Sequence, residues 1–280
     1  MRQKSIETER QGHVLIVWIC RPSQRNAVDR ETARLLEAAL VEFERDESMR
    51  VAILTGRGGV FCAGADLKGV VGVQGEANIV SEDMNEAGPM GPTRLRLTKP
   101  VIAAIEGFAV AGGLELAIWC DLRVASEVAT LGVFCRMRGV PLIDGGTVRL
   151  PPLIGLSNAM DLVLTGRSVS AAEAKGMGLV NWVVPEGLAL SKALEVAKLI
   201  AAHPQTCMRN DRLSMLDSVY GGSWLNGNSK THESESSKGI LNVRGAERDA
   251  MQQELLYGIQ SMGIPEFGDA IKLFLNKSKL

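Results

Sequence analysis

The sequence predicts an α/β fold, and three observations carry that expectation. Short apolar, β-rich runs at residues 14–20, 51–54, 101–105 and 122–125 recur through the first two thirds of the chain, separated by stretches with helical periodicity. Glycine-rich turns link several of these runs to the helices that follow, around Gly64, Gly112-Gly113 and Gly145-Gly146. Beyond residue 187 the pattern is helical almost throughout. Strands alternating with helices indicate βαβ-like units.

Taken in order, residues 14–20 form a strand and residues 21–26 a loop. Asp29 is a good N-cap for a helix whose apolar face carries Leu35, Leu36, Ala39, Leu40 and Phe43. Residues 51–54 form the second strand. Gly56, Gly58 and Gly59 after it suggest a dinucleotide fingerprint, but position 61 is Phe where the third glycine belongs. Residues 70–92, rich in Gly, Asn, Glu and Pro, read as a solvated loop, with a segment beside a site as the alternative. Residues 94–97 end a short helix. The stretch from 101 to 125 reads strand, glycine turn, helix, strand. Residues 128–133 are a further strand, 156–164 and 170–177 are helices, and 179–184 a strand. Ser170 and Glu173 are spaced as a capping box. Helices follow at 187–202, 204–217 and 245–262, with 221–238 as a flexible connection and a last helix opening at 264–268. The expected division is a core over residues 1–200 and a helical region over 201–280.

Composition narrows the function. Thirty-one basic and 32 acidic residues leave a net charge of −1, so no general basic field calls for nucleic acid. Five scattered cysteines without Cys-x-x-Cys pairs argue against a disulfide framework and a zinc site, and point to a reducing cytoplasm. The first ten residues are too polar for a secretory signal. The long apolar stretch 101–120 contains Glu106, Glu115 and three glycines, which argues against a membrane span.

The chemistry is concentrated in the glycine turns. A glycine pair at a helix start lets a ligand atom approach the free N–H groups of the first turn, at the positive end of the helix dipole. Gly112-Gly113 supplies such a start, and the turn 61–67 supplies a second. Together they are suited to holding one oxygen that gains negative charge during a reaction. Glu115 follows within the first turn of the helix, either as a base facing the same ligand or as a cap in a surface salt bridge. Asp144 stands in the third glycine turn, either as a second acid or as a turn residue bonding the backbone of Gly146.

These motifs resemble the crotonase superfamily, the enoyl-CoA hydratase/isomerase family. The matching pieces are Arg21-Pro22 with Asn26-Ala27, residues 52–56, residues 61–67, Lys99-Pro100 with the strand after it, residues 107–121, Gly145-Gly146-Thr147 with Arg149-Leu150, and Leu164-Thr165-Gly166 with residues 171–178. The resemblance implies a spiral of ββα repeats and a helical C-terminal trimerisation region, in trimers or dimers of trimers. The implied substrate is an acyl-CoA thioester, with coenzyme A entering as part of the substrate and no separate cofactor or metal. By motif position, the N–H groups of Ala65 and Gly112 would hold the thioester oxygen, and Gly113 continues that turn. Arg25, Asn26 and Ala27, with Cys62, Ala63, Gly64, Asp66 and Leu67, would surround the nucleotide and pantetheine, and a lysine of the last helix would reach a phosphate. Hydratases of the family use two glutamates; the first falls on Glu115, and twenty residues on stands Cys135, a thiol that cannot replace a carboxylate. The implied reading is an enoyl-CoA hydratase with Glu115 and Asp144 handling protons. The alternatives are an isomerase, a hydrolase using Cys135 as nucleophile, and a non-catalytic acyl-CoA-binding homologue.

Overall fold

A computed structural model describes residues 4–67, 80–220, 241–242, 245–263, 268–269 and 271–272. The expected flexible connection at 221–238, residues 70–79 of the expected 70–92 loop and most of the last helix lie outside the described residues. Among the described residues, no helix is long and apolar enough to cross a membrane.

The main sheet has six strands. β1 (Ile6–Gln11) and β2 (Val14–Ile19) form an antiparallel hairpin, and β2 then pairs in parallel with β3 (Val51–Gly56). α1 (Arg30–Arg45) crosses between β2 and β3, and Asp29 caps it by accepting the Thr32 N–H at 2.8 Å. β4 (Leu95–Arg96) lies apart, paired with Leu241–Asn242. β5 (Val101–Ile105) joins β3, and β6 (Phe108–Val110) turns out of the main sheet. α2 (Gly112–Trp119) follows, then β7 (Leu122–Ser126) beside β5 and β8 (Thr130–Gly132) beside β6. β5, β6 and α2, and again β7, β8 and the helix after them, lay one strand in the large sheet and one in a small sheet before a helix, the ββα repeat that the resemblance implied.

α3 (Gly146–Ile154), α4 (Leu156–Thr165) and α5 (Ala171–Gly176) come next, with β9 (Val169–Ser170) completing the small sheet and β10 (Trp182–Val184) closing the large one. α6 (Ala189–Ala202) packs Ala189, Ala193, Val196 and Ala197 against Val14, Val51, Ile53 and Ile102. α7 (Gln205–Tyr220) and, after β11 (Leu241–Asn242), α8 (Gly245–Met262) complete the described chain. The other face of the sheet packs on α1, with Leu36, Leu40 and Phe43 fully buried.

Four expectations need correction. Residues 92–94 form a 3-10 turn and 95–96 a strand, so no helix ends at residue 97. Ser170 does accept the Glu173 N–H, but the Glu173 side chain pairs with Arg167 at 2.7 Å, so the capping box is half made. α3 was not expected, because Pro151-Pro152 lies inside it. The described part of the 70–92 loop is not a solvated excursion, since Met84 and Met90 are buried.

Candidate active site

α2 is buried on nearly every side, and Glu115 is its one charged residue, 3% exposed. The helix is entered through Ala111, whose φ of 53° and ψ of −128° are a strained combination for a residue with a side chain. The strain is held by neighbours: the Ala111 N–H donates to the Gly132 carbonyl at 2.9 Å, and the Val110 N–H to the Cys62 carbonyl at 3.1 Å. Those bonds bring the loop 62–65 against the helix start. A methyl group built on Gly64 would lie 3.0 Å from the Gly112 nitrogen, and one on Gly113 would lie 2.2 Å from the Cys62 carbonyl oxygen. The two glycine turns therefore touch backbone to backbone, which only glycine permits.

Two N–H groups emerge from this contact. Gly112 is the first residue of its helix, so its N–H has no acceptor within the helix. At Ala65 a parallel bridge to Val28 uses the Gly64 carbonyl and the Asp66 N–H, which turns the Ala65 N–H to the opposite side. Ala65 and Gly112 both line a cavity of about 250 Å³, and Glu115, Cys135 and Asp144 line it with them. Leu67, Met90, Phe134 and Val140 make much of its wall apolar.

The two acids are held on the third glycine turn. Glu115 Oε1 accepts the N–H groups of Asp144 and Gly146, each at 2.9 Å. Asp144 Oδ1 accepts the Met90 N–H at 3.0 Å and the Thr93 hydroxyl at 2.5 Å. Among the described residues Glu115 forms no salt bridge, and Glu115 rather than Asp144 takes the Gly146 N–H. Burial, then the charges of Asp144 and Glu254, raise the Glu115 pKa well above the usual carboxylate range, against the pull of its two N–H donors. Burial likewise pushes Asp144 up to about 6, opposed by its bonds from Thr93 and Met90. A carboxyl group held near 6, as Asp144 is, can exchange a proton close to neutral pH.

Cys135 sits in the 3-10 turn Phe134–Arg138, and burial with the nearby Glu115 charge pushes its thiol up to about 12. Neither His13 nor His203 lines the cavity, and His232 lies outside the described residues. A thiol so protonated, with no histidine beside it among the described residues, is not an activated nucleophile.

Of the remaining candidates, Arg25, Ala63 and Leu67 line the cavity, while Asn26, Ala27, Cys62, Gly64, Asp66 and Gly113 do not. Arg25 and Asn26 have φ of 52° and 55°. The Asn26 side chain is fully buried, accepts the Arg21 N–H at 2.8 Å and donates to the carbonyls of Arg57 at 2.8 Å and Val60 at 2.5 Å. Asp66 pairs with Arg21 at 2.9 Å, and Arg21 also donates to the Ala27 carbonyl. Lys272 is exposed beside Asp269, and Lys277 and Lys279 lie outside the described residues.

Sequence reasoning missed Glu254. From α8 it accepts the Gly145 N–H at 2.6 Å and the Thr147 N–H at 2.8 Å, and it is 6% exposed. Its signal was present: Glu247, Met251, Glu254, Leu255 and Gly258 fall on one helical stripe that is otherwise apolar.

The sequence profile described as enoyl-CoA hydratase/isomerase matches residues 9–218. The chain belongs to the enoyl-CoA hydratase/isomerase family. An enoyl-CoA hydratase of Mycobacterium tuberculosis is 45% identical over 202 residues, 70% of this chain and 74% of the relative. A mevalonyl-coenzyme A hydratase of Aspergillus fumigatus is 36% identical over 197 residues, 70% of this chain and 72% of the relative. Among solved structures, a carnitinyl-CoA hydratase of Mycobacterium avium superposes with a TM-score of 0.82 at 29% identity, covering 98% of this chain and 97% of that one. A probable enoyl-CoA hydratase/isomerase of Mycobacterium abscessus gives 0.71 at 36% identity, covering 98% and 96%.

Proposed function

We propose that this protein is an enoyl-CoA hydratase, adding water across the 2,3 double bond of an acyl-CoA thioester. The observation that carries the reading is the convergence of the Ala65 and Gly112 N–H groups with buried Glu115 on one cavity. The thioester oxygen accepts the two N–H groups, which bind it more strongly as it becomes an enolate oxygen. The water oxygen bonds to C3 and its proton goes to a carboxylate. Protonated Glu115 delivers a proton to C2, so the acid pair begins and ends with one proton. Asp144 takes the water's proton through Oδ2, since its Oδ1 already accepts two bonds. Relatives carrying hydratase names, at 36 to 45% identity for those above, support the same chemistry.

The second reading is isomerisation, in which one carboxyl group moves a proton between C2 and C4. It is favoured by the buried thiol of Cys135 at the place of the second acid. For assembly, the proposal is a trimer or a dimer of trimers. Leu156, Met160 and Leu164, 61%, 49% and 70% exposed, repeat along one face of α4 and suit contact with another copy. A cytoplasmic location suits the five free cysteines.

Crotonyl-CoA tests the function, followed by loss of the conjugated-enoyl absorbance. Rapid loss with the wild type and none with Glu115→Gln is expected. Absence of loss at saturating crotonyl-CoA, with binding detectable, sets hydration of short enoyl thioesters aside and favours the second reading.

A further inference from the structure

The start of α3 carries an arrangement that the proposed reaction has not yet used. The four successive N–H groups of residues 144–147 go alternately to two buried carboxylates. Glu115 takes those of Asp144 and Gly146, and Glu254 takes those of Gly145 and Thr147. The Thr147 hydroxyl adds a further bond to Glu254 Oε1 at 2.7 Å. These are N–H groups that a helix start leaves without internal partners.

We propose that Glu254 is a positioning residue for the reaction: from the C-terminal helix it fixes the turn that carries Asp144 and donates to Glu115, and its carboxylate faces Glu115 in the same buried cluster. The inference rests on the proposed acyl-CoA chemistry of Glu115.

Two features support it. The first is geometric. With Glu254 holding Gly145 and Thr147, the backbone at 144 and 146 is fixed where both N–H groups reach one oxygen of Glu115. Loss of the Glu254 bonds frees the turn, and a displacement of about 1 Å at a reacting group costs roughly a hundredfold in rate.

The second is the charge balance of the buried cluster. Glu115 faces Asp144, Glu254 and the Cys135 thiol. Asp144 and Glu254 face Arg94, and Arg149 donates to the Asp144 carbonyl. Arg149 is paired with Glu247 at 3.0 Å. Arg94 Nη1 donates to the carbonyls of Ser81 and Asp83, while its Nε and Nη2 have no acceptor among the described residues. Asp83 and Glu86 also face Arg94, so its single charge is divided among several acids, and full ionisation of Glu115, Asp144 and Glu254 leaves the cluster with an excess of negative charge. In a buried site such an excess is relieved by retaining a proton. Glu115 retains it because burial, and then the charges of Asp144 and Glu254, stand against its ionisation.

Glu254→Gln removes the charge but keeps the size, and leaves one acceptor oxygen for two N–H groups. The test is its pH–rate profile with crotonyl-CoA, together with an infrared titration of the protonated carboxyl band of Glu115, assigned by its absence in Glu115→Gln. Expected are a fall in kcat of roughly tenfold, the loss of about one well-placed hydrogen bond, a KM within about twofold of the wild type, and movement of the Glu115 titration to lower pH. An unchanged infrared titration and kcat overturn the proposal even when the wild type is a hydratase. If the wild type turns over no enoyl-CoA, the functional reading fails separately, while the infrared titration still decides whether Glu254 holds the proton on Glu115. Should Glu254→Gln not fold, Glu254→Asp keeps the charge and shortens the reach. It is expected to lower kcat without moving the titration; a titration that moves in this variant equally overturns the proposal.

Discussion

Asp144→Asn should make the protein's stability less sensitive to pH in a direction that is fixed by burial. Asp144 is 3% exposed, and burial raises it from its ordinary 3.8 to about 6. The folded chain therefore holds this proton more tightly than the unfolded chain. Between the two values the folded state carries more bound protons, so stability falls as pH rises. Below the ordinary value the contribution is fully present; above about 6 it is lost. The interval is a little over two decades of proton affinity, and each decade corresponds to about 1.4 kcal/mol, giving about 3 kcal/mol. Asparagine does not titrate and keeps an oxygen to accept the Met90 N–H and the Thr93 hydroxyl. Glu115 is raised in the same direction, partly by the Asp144 charge, so its contribution also shrinks in the variant. Urea unfolding of both proteins at intervals from pH 4 to 8, at constant ionic strength, provides the measurement. The wild type should lose about 2.5 kcal/mol relative to the variant across that range, because pH 4 already lies just above the ordinary value. Curves that run parallel within about 0.5 kcal/mol, or a wild type that gains on the variant, refute the reasoning.

Asn26→Ala removes three buried hydrogen bonds and leaves the Arg57 and Val60 carbonyls without this donor. It should lower unfolding stability by about 2–4 kcal/mol, read from the urea midpoint at unchanged m-value, and a loss under about 1 kcal/mol contradicts the clasp. Cys135→Ala should retain turnover of crotonyl-CoA within about threefold, since a thiol held at about 12 does no proton transfer at neutral pH. A fall of a hundredfold or more with the fold intact gives the sulfur a chemical role.

What the sequence revealed, it revealed where local pattern and burial agree. The strand at residues 101–105, the glycine pair and the buried helix Gly112–Trp119 follow directly from an apolar run broken only at the turn. Asp29 was legible as a cap because its bond to Thr32 is local. β1 was not legible: Glu7, Thr8, Glu9 and Arg10 show mostly polar side chains, and the strand is held by backbone pairing to β2. α3 was hidden by Pro151 and Pro152, which remove the donors that would reach the carbonyls of Thr147 and Val148. The helix is held instead from outside, by Glu115 and Glu254 at its start and by Leu150 and Ile154 in the core. At the site, Glu115, Ala65 and Gly112 were readable as motif positions. The part of Asn26 was not, because its three partners lie five to 34 residues away in sequence. Glu254 joins the turn from 107 residues away across a connection with no periodic signal, so only its place on a buried stripe announced it.

The central claim is that Glu115 moves a proton at the α-carbon of a thioester whose oxygen is held by Ala65 and Gly112. Its most direct test is α-proton exchange of a saturated acyl-CoA in deuterium oxide, followed by NMR or mass spectrometry, for the wild type and Glu115→Gln. The account predicts exchange by the wild type and a loss of at least a thousandfold in the variant, with acyl-CoA binding retained. Exchange at the wild-type rate in Glu115→Gln contradicts it and assigns the proton to another group.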